Sequence, residues 1–246
     1  MFNLYLLFKK LKKQFLSLND SIESYFEKFR SIIISIKKNK IEENNKAILI
    51  GGTLIILTLG YFLLPTIYDR NILKSQIQNQ LLKKFGIEVQ FKEKINYGLL
   101  PKPHFNSKNL IITQNQKEIA KVKNFKVFID FDKFFSINKI NSRNVLFKKA
   151  DFNINKDDVL FFRNLLYLDK IKDKITFQDS NIFFLNKNKS EMLFINKIKK
   201  KVFFYDENKS EVVMSSKNEV FNVPYKIIFK NNIKDKNLIT KFNSQK

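Results

Sequence analysis

The sequence contains no cysteine and no tryptophan, and it has a single histidine, His104. The absence of cysteine excludes disulfides, thiolate metal ligands and a cysteine nucleophile. One histidine cannot supply a multi-histidine metal site or an HExxH motif. His104 follows the Pro101-Lys102-Pro103 turn, and we interpret it as an ordinary residue at the end of a strand.

Glycine is scarce as well, and the five glycines form neither a phosphate-binding loop nor a dinucleotide fingerprint. Asp157 and Asp158 are adjacent at the start of a predicted helix, where they suit the helix dipole. Asp130 and Asp132 share one side of a predicted strand, but no third ligand is near them in the sequence. We therefore predict that the protein is not an enzyme and carries no cofactor or metal.

Basic residues are abundant, with 46 Lys and Arg against 23 Asp and Glu and a net charge of +23. Such a charge favours nucleic acid or anionic surfaces as partners. The basic residues are spread along the whole chain, however, and the surplus of Lys, Asn, Ile and Phe is typical of an AT-rich genome. We do not expect nucleic acid to be the main partner.

An uncharged run of 22 residues lies between Lys46 and Asp69. As a helix it would be about 33 Å long, close to the roughly 30 Å hydrocarbon core of a bilayer. Tyr61 and Tyr68 lie near one end, where an aromatic belt is expected. The run begins 46 residues into the chain and no cleavage pattern follows it, so we predict a retained transmembrane helix at 47–68.

Residues 1–46 are predicted to form a basic helical tail. The 20 residues before the span carry six Lys or Arg and the 20 after it carry four, which favours a cytoplasmic N-terminus. The lysines flanking the first turns are candidates for binding the anionic inner leaflet, the alternative being a loosely ordered tail; they are Lys9, Lys10, Lys12 and Lys13.

After the span the sequence predicts a linker helix at 69–86, ended by Gly86 in a left-handed cap. Its apolar residues follow four-residue steps, at Leu73, Ile77, Leu81 and Phe85. From Ile87 onward the apolar period is two, interrupted by one helix near 157–168. The fold class predicted is α+β: tail, transmembrane helix, then a mostly antiparallel, curved, groove-like sheet of about eight to ten strands with two short helices, the sheet filling 87–246.

One apolar face of this sheet must either pack against something or hold an apolar ligand. Its candidate lipid-groove residues lie on two strands and are Val127, Ile129, Phe131, Phe221, Val223, Tyr225, Ile227 and Phe229. A sealed core is the alternative for the same residues. Pro224 cannot donate to a ladder, so we expect the strand at 221–229 to lie at an edge or beside a bulge.

Residues 47–190 resemble the N-terminal region of the AsmA family in the order of their elements. The matching features are the anchor, the short helix, the extended segment GIEVQFKEKINYGLLPKPHFNSKNLIIT with its prolines, and the strands that begin at Ile119 and Ile140. The resemblance implies an inner-membrane anchor with a periplasmic body in a Gram-negative bacterium. It also implies roles in outer-membrane assembly and phospholipid transfer along an apolar β-groove.

Two departures from the family pattern stand out. The segment before the anchor is longer than is usual, and the chain ends soon after Phe242, so we expect either a fragment or a short member. The leading hypothesis is a lipid-handling protein with phospholipid and envelope proteins as partners. The alternatives are a membrane-tethered scaffold for protein partners and a basic anchor for anionic lipid or nucleic acid.

Overall fold

The structure, a computed structural model, describes residues 44–129, 142–167, 173–188, 190–232 and 237–244. The chain divides into two compact units, Met1–Leu59 and Gly60–Lys246. The predicted tail up to residue 43, with the lysines at 9, 10, 12 and 13, lies outside the described residues, and so does Phe131.

Helix α1 spans Asn44–Leu63 and continues as a 3₁₀ helix at Leu64–Ile67. The prediction of one regular helix as far as Tyr68 is therefore wrong at its end. Pro65 lies in the first turn of the 3₁₀ helix. Because proline lacks an N–H and its ring clashes with the carbonyl one turn earlier, an α-helix does not continue through this position.

The apolar side chains of α1 in the first unit are exposed on every side. Leu54, Ile55, Ile56 and Leu57 follow one another in the chain and are each 50–66% exposed. Among the residues that the structure describes, no single helix is long and apolar enough to cross a membrane. One pair of helices, Gly51–Ile67 and Arg70–Phe85, is long and apolar enough when the two are taken together, but the pair is bent by 83°.

Helix α2 spans Arg70–Phe85, as the four-residue spacing predicts. It begins where the Asp69 carboxylate accepts hydrogen bonds from the N–H groups of Asn71 (2.8 Å) and Ile72 (3.0 Å). It ends at Gly86, whose φ of 63° is the left-handed conformation that glycine adopts without a steric penalty. All four predicted apolar residues are buried, at Leu73, Ile77, Leu81 and Phe85.

Ten strands among the described residues form one sheet. They are β1 (Glu88–Phe91), β2 (Asn96–Gly98), β3 (His104–Gln114), β4 (Lys117–Ile129), β5 (Ser142–Ile154), β6 (Lys174–Leu185), β7 (Met192–Asp206), β8 (Glu211–Val220), β9 (Val223–Asn232) and β10 (Asn237–Ser244). The order is β1-β3-β4-β5-β6-β7-β8-β9-β10, with β2 also on β3. Only the β5–β6 pair is parallel, so the predicted antiparallel-rich α+β fold is confirmed, whereas a groove is not shown.

The parallel connection between β5 and β6 contains α3, Leu160–Asn164, which is shorter than the helix predicted near 157–168. The backbone N–H of Asn155 donates to the Asp158 carboxylate (3.1 Å), and the N–H of Asp158 donates to the Asn155 side chain (3.2 Å). Such local side-chain bonds compete with helical hydrogen bonding and hold a turn here instead.

Strand β9 lies between β8 and β10 without a bulge, so the expected edge position is wrong. Its pairing with β10 begins at Tyr225, opposite Ser244. Pro224 therefore lies beyond the described end of that ladder. Phe221 is not in the strand at all, since it forms the β8–β9 turn with Asn222 at positive φ.

The sheet face that packs against α2 is called the inner face. Its residues lie opposite one another from strand to strand, as in the row Phe105, Val127, Val145, Ile175, Phe203, Met214 and Phe229. Helix α2 is held on β1 by Gln78 Nε2, which donates to the Val89 carbonyl (2.7 Å). Lys84 Nζ also pairs with the Asp173 carboxylate, 2.5 Å away beside β6.

Candidate functional site

The inner face changes from closed to open along the sheet. Over the middle of β3 to β6 its side chains are almost fully buried, with Phe105, Val145, Phe147 and Phe177 each 0–1% exposed. On β9 and β10 the same face stays accessible, with Val223 50%, Leu238 53% and Phe242 61% exposed. We call this area the open patch, and it consists of Val223, Tyr225, Ile227, Phe229, Leu238 and Phe242.

The structure separates the two sets of predicted groove residues. Val127 and Ile129 are 0% and 8% exposed inside the core, so they present no surface to a ligand and the sealed-core alternative holds for them. Their strand is closed because α2 and the neighbouring rings pack over it. Phe221 is 79% exposed in a turn.

The other four predicted residues share the inner face of β9. Ile227 and Phe229 are half-buried against the core, while Tyr225 stacks on Phe242 with ring centres 5.5 Å apart. Burial raises the pKa of Tyr225, and a hydrogen bond from Asn196 opposes that rise. The open patch is therefore an ordered apolar surface with a polar margin.

The covered part contains a small recess. The recess between Phe85, Leu165, Phe203 and Val212 encloses about 10 Å³. That volume suits one water molecule at most. This recess is therefore too small for an acyl chain.

A buried lysine lies in the covered part, two strands away from the open patch. Lys201 on β7 is opposite Phe177 on one side and Ser216 on the other, which places it on the inner face. It is 8% exposed, and its ammonium lies 4.4 Å from the centre of the Phe162 ring. No carboxylate pairs with it in the described part of the chain. Burial lowers the pKa of Lys201 to about 8, which still leaves it mostly charged at neutral pH.

Polar side chains continue from Lys201 along the inner face. Ser216 is 1% exposed and donates its hydroxyl to Asn218 Oδ1 at 2.6 Å. Asn196 Oδ1 is buried and has no hydrogen-bond partner among the described residues. Buried polar atoms usually have partners, so this cluster stands out against the apolar face around it.

Sequence reasoning missed Lys201 because it ends the basic run Lys199-Lys200-Lys201 and resembles a surface residue. The pairing of β7 with β8 shifts between Ile198 and Lys200. This irregularity changes which residues of β7 point inward, and a sequence pattern does not reveal it.

The opposite, outer face is basic. Lys200, Lys217 and Lys226 face one another on three adjacent strands, without a carboxylate paired to any of them in the described residues. Glu219 on the same face pairs with two lysines. Its carboxylate oxygens lie 2.8 Å from Lys197 Nζ and 4.0 Å from Lys199 Nζ. The hydrogen bond from Lys197 lowers the pKa of Glu219.

His104 is a packing residue in this structure. It is 3% exposed, its Nδ1 lies 2.8 Å from the Lys102 carbonyl oxygen, and its ring packs near Phe128. A Cβ atom at Gly98 would lie 2.7 Å from the ring, so the glycine is needed for this close approach. Burial lowers the pKa of His104, the Lys102 carbonyl opposes that change, and Lys126 adds to it.

No protein-family model and no curated protein matches the sequence. The resemblance to the AsmA family therefore rests on the order of elements and the quoted segments.

Proposed function

We propose that the protein is a non-enzymatic, single-pass protein of the bacterial inner membrane with its sheet in the periplasm. In this proposal it binds phospholipid on the inner face of the sheet and transfers it during envelope and outer-membrane assembly. The open patch on β9 and β10 is the observation that carries the proposal. The resemblance to the AsmA family supplies the cellular setting.

The proposed anchor is α1. Its apolar part, 47–63, is about 25 Å long, and the 3₁₀ turn at Leu64–Ile67 adds about 8 Å, so that only the two together reach the roughly 30 Å of the hydrocarbon core. A helix with exposed large apolar side chains on every side is unfavourable in water and favourable in lipid. Helix α2 is not proposed for this role, because four of its six large apolar residues are buried against the sheet.

The proposed lipid site has suitable dimensions. From Val223 to Phe229 an extended strand covers about 20 Å, whereas an acyl chain occupies about 15 Å, half of the bilayer core. Two neighbouring strands present apolar side chains, and Ile227 lies directly opposite Phe242. Exposed apolar area of this kind marks a binding surface.

Two alternatives are supported by specific features. The open patch and the end position of β10 in the described sheet would also suit a protein partner, which is the scaffold alternative. The lysine row of the outer face, Lys200, Lys217 and Lys226, would suit an anionic surface or nucleic acid.

Photocrosslinking of the full chain in membranes tests the proposal. A benzoylphenylalanine at Phe242 should form a phospholipid adduct, detected by mass spectrometry. The control is the same group at Ile239, which is 49% exposed but lies on the outer face opposite Lys230. A protein adduct at Phe242 would favour the scaffold alternative. Equal labelling at both positions would contradict the proposal.

The topology is tested separately. An export-dependent reporter fused after Lys246 should be active in cells, because the basic excess before α1 favours a cytoplasmic N-terminus. A cytoplasmic reporter at the same position should be inactive, and the reverse pattern would invert the orientation.

A further inference from the structure

Lys201 is a buried charge for which the described residues supply no anion. Its side chain is 8% exposed. Among the described residues, its ammonium contacts the face of the Phe162 ring. Burying an ammonium without an anion is costly, so such lysines are rare in stable cores. A methionine would fill the same space without the cost.

The position of Lys201 links it to the open patch. One row of directly opposed inner-face residues runs Phe177, Lys201, Ser216, Ile227 and Phe242 on five adjacent strands. Phe177, Lys201 and Ser216 are 0%, 8% and 1% exposed, whereas Phe242 at the other end of the row is 61% exposed. Lys201 is the charged side chain of this row, and it lies two strands away from Ile227 of the open patch.

We propose that Lys201 binds the phosphate of a phospholipid whose acyl chains lie on the open patch. The inference rests on the proposed function and adds to it the group that holds the lipid head. Phosphate suits the site because it is negatively charged and offers several acceptor oxygens to the ammonium.

Asn218, two residues along β8 from Ser216, supplies a second donor on the inner face. Its Oδ1 is occupied by the Ser216 hydroxyl, and its Nδ2 has no partner among the described residues. Asn218 lies opposite Tyr225 of the patch, so the amide and the apolar surface are adjacent. A phosphodiester that accepts from both side chains would have its two acyl chains directed over β9 and β10.

The test compares lipids with and without a charged head on the purified full chain in detergent. Dioleoylphosphatidylglycerol and dioleoylglycerol carry the same acyl chains, and their binding is measured by competition with lipid crosslinking at Phe242. The wild type should bind the phospholipid about tenfold or more tightly. Lys201→Met should abolish this difference, and Lys201→Arg should retain most of it.

Lys200→Met is the matched control, because Lys200 neighbours Lys201 in the chain but lies exposed on the outer face. It should leave the preference unchanged. An unchanged preference in Lys201→Met would overturn the inference while the patch still binds lipid. Failure of both lipids to compete in the wild type would instead overturn the proposed function.

Two further probes distinguish the source of the negative charge. If oleate competes as strongly as the phospholipid, the group that Lys201 binds is a carboxylate. That result would contradict the assignment of phosphate. Inorganic phosphate at millimolar concentration should not displace the lipid. Displacement would show an ion site independent of acyl chains, which also contradicts the inference.

Discussion

The covered and the open parts of the inner face are built from the same alternating strand pattern but have different surroundings. Phe177 on β6 is surrounded by the rings of Phe147, Phe152, Phe162 and Phe203 at 5.1–6.3 Å. Ile227, in the same row, is only half-buried. The difference shows that alternation determines which face is apolar, while the elements packed above it determine whether that face is a core.

A charge placed in each part should produce the largest difference. Val127→Glu buries an unpaired carboxylate and should cost more than about 4 kcal/mol of unfolding free energy, enough to unfold the sheet. Phe242→Glu places the charge at a 61% exposed position and should cost less than about 1 kcal/mol. Far-UV circular dichroism during urea unfolding in detergent measures both, and similar losses would show that the patch is part of a sealed core.

Truncation of a side chain to alanine should also cost more unfolding free energy in the covered part than in the open part, but by a smaller difference. Phe177→Ala removes a fully buried ring and should cost about 3–5 kcal/mol. Ile227→Ala should cost about 1–2 kcal/mol, because part of its surface is already in water. The same unfolding assay applies, and a larger loss for Ile227 than for Phe177 would refute the assignment of open and covered parts.

Removal of the buried charge of Lys201 should stabilise the protein. Below pH 8 Lys201 is charged in both folded and unfolded protein, so its burial penalty is fully present. Between pH 8 and 10.5 the folded protein releases this proton first, and the penalty declines as pH rises. We expect Lys201→Met to add about 3 kcal/mol at pH 7 in the absence of lipid and clearly less at pH 10.

The difference between Lys201→Met and the wild type isolates this pH dependence, because the direct neighbours Phe162, Phe177 and Ser216 do not titrate in this range. Lys200→Met serves again as the control and should change stability little at either pH. A destabilised Lys201→Met protein would mean that the ammonium makes a favourable contact that the described residues do not account for.

The smallest effect is expected at the cap of α2, which covers the closed part. Gly86→Ala forces a Cβ into the left-handed region and should cost about 1–2 kcal/mol. Gly86→Asn should cost less, since asparagine tolerates this conformation. Equal losses in thermal unfolding would show that the cap conformation is not what these substitutions disturb.

Much of the fold follows from local patterns in the sequence. Four-residue spacing and Gly86 identify α2, and the period of two from Ile87 onward predicts a sheet of about eight to ten strands, of which the structure describes ten. The sequence did not reveal β8, because Ser216 and Asn218 interrupt the apolar residues on its inner side. Those two residues belong to the polar cluster, so the feature that hides the strand is also the one that marks the candidate site.

Coverage of the inner face could not be predicted from the sequence. It depends on where α2 and the β5–β6 connection pack, and those contacts join residues far apart in the chain, such as Asn231 Nδ2 with the Leu166 carbonyl at 3.0 Å. The inward position of Lys201 depends on an irregular pairing, which has no local signature. Sequence patterns therefore predicted the β9 face but not the ligand-binding lysine proposed beside it.

The strand order has a consequence for how the protein is made. From β3 to β10 each strand pairs with the one that precedes it in the chain. A strand can thus join the sheet soon after it emerges during synthesis or export, and no later segment has to insert between two strands already paired. Contacts close in sequence favour rapid folding. The growing edge is exposed only until the next strand arrives, which limits the time available for pairing with another chain.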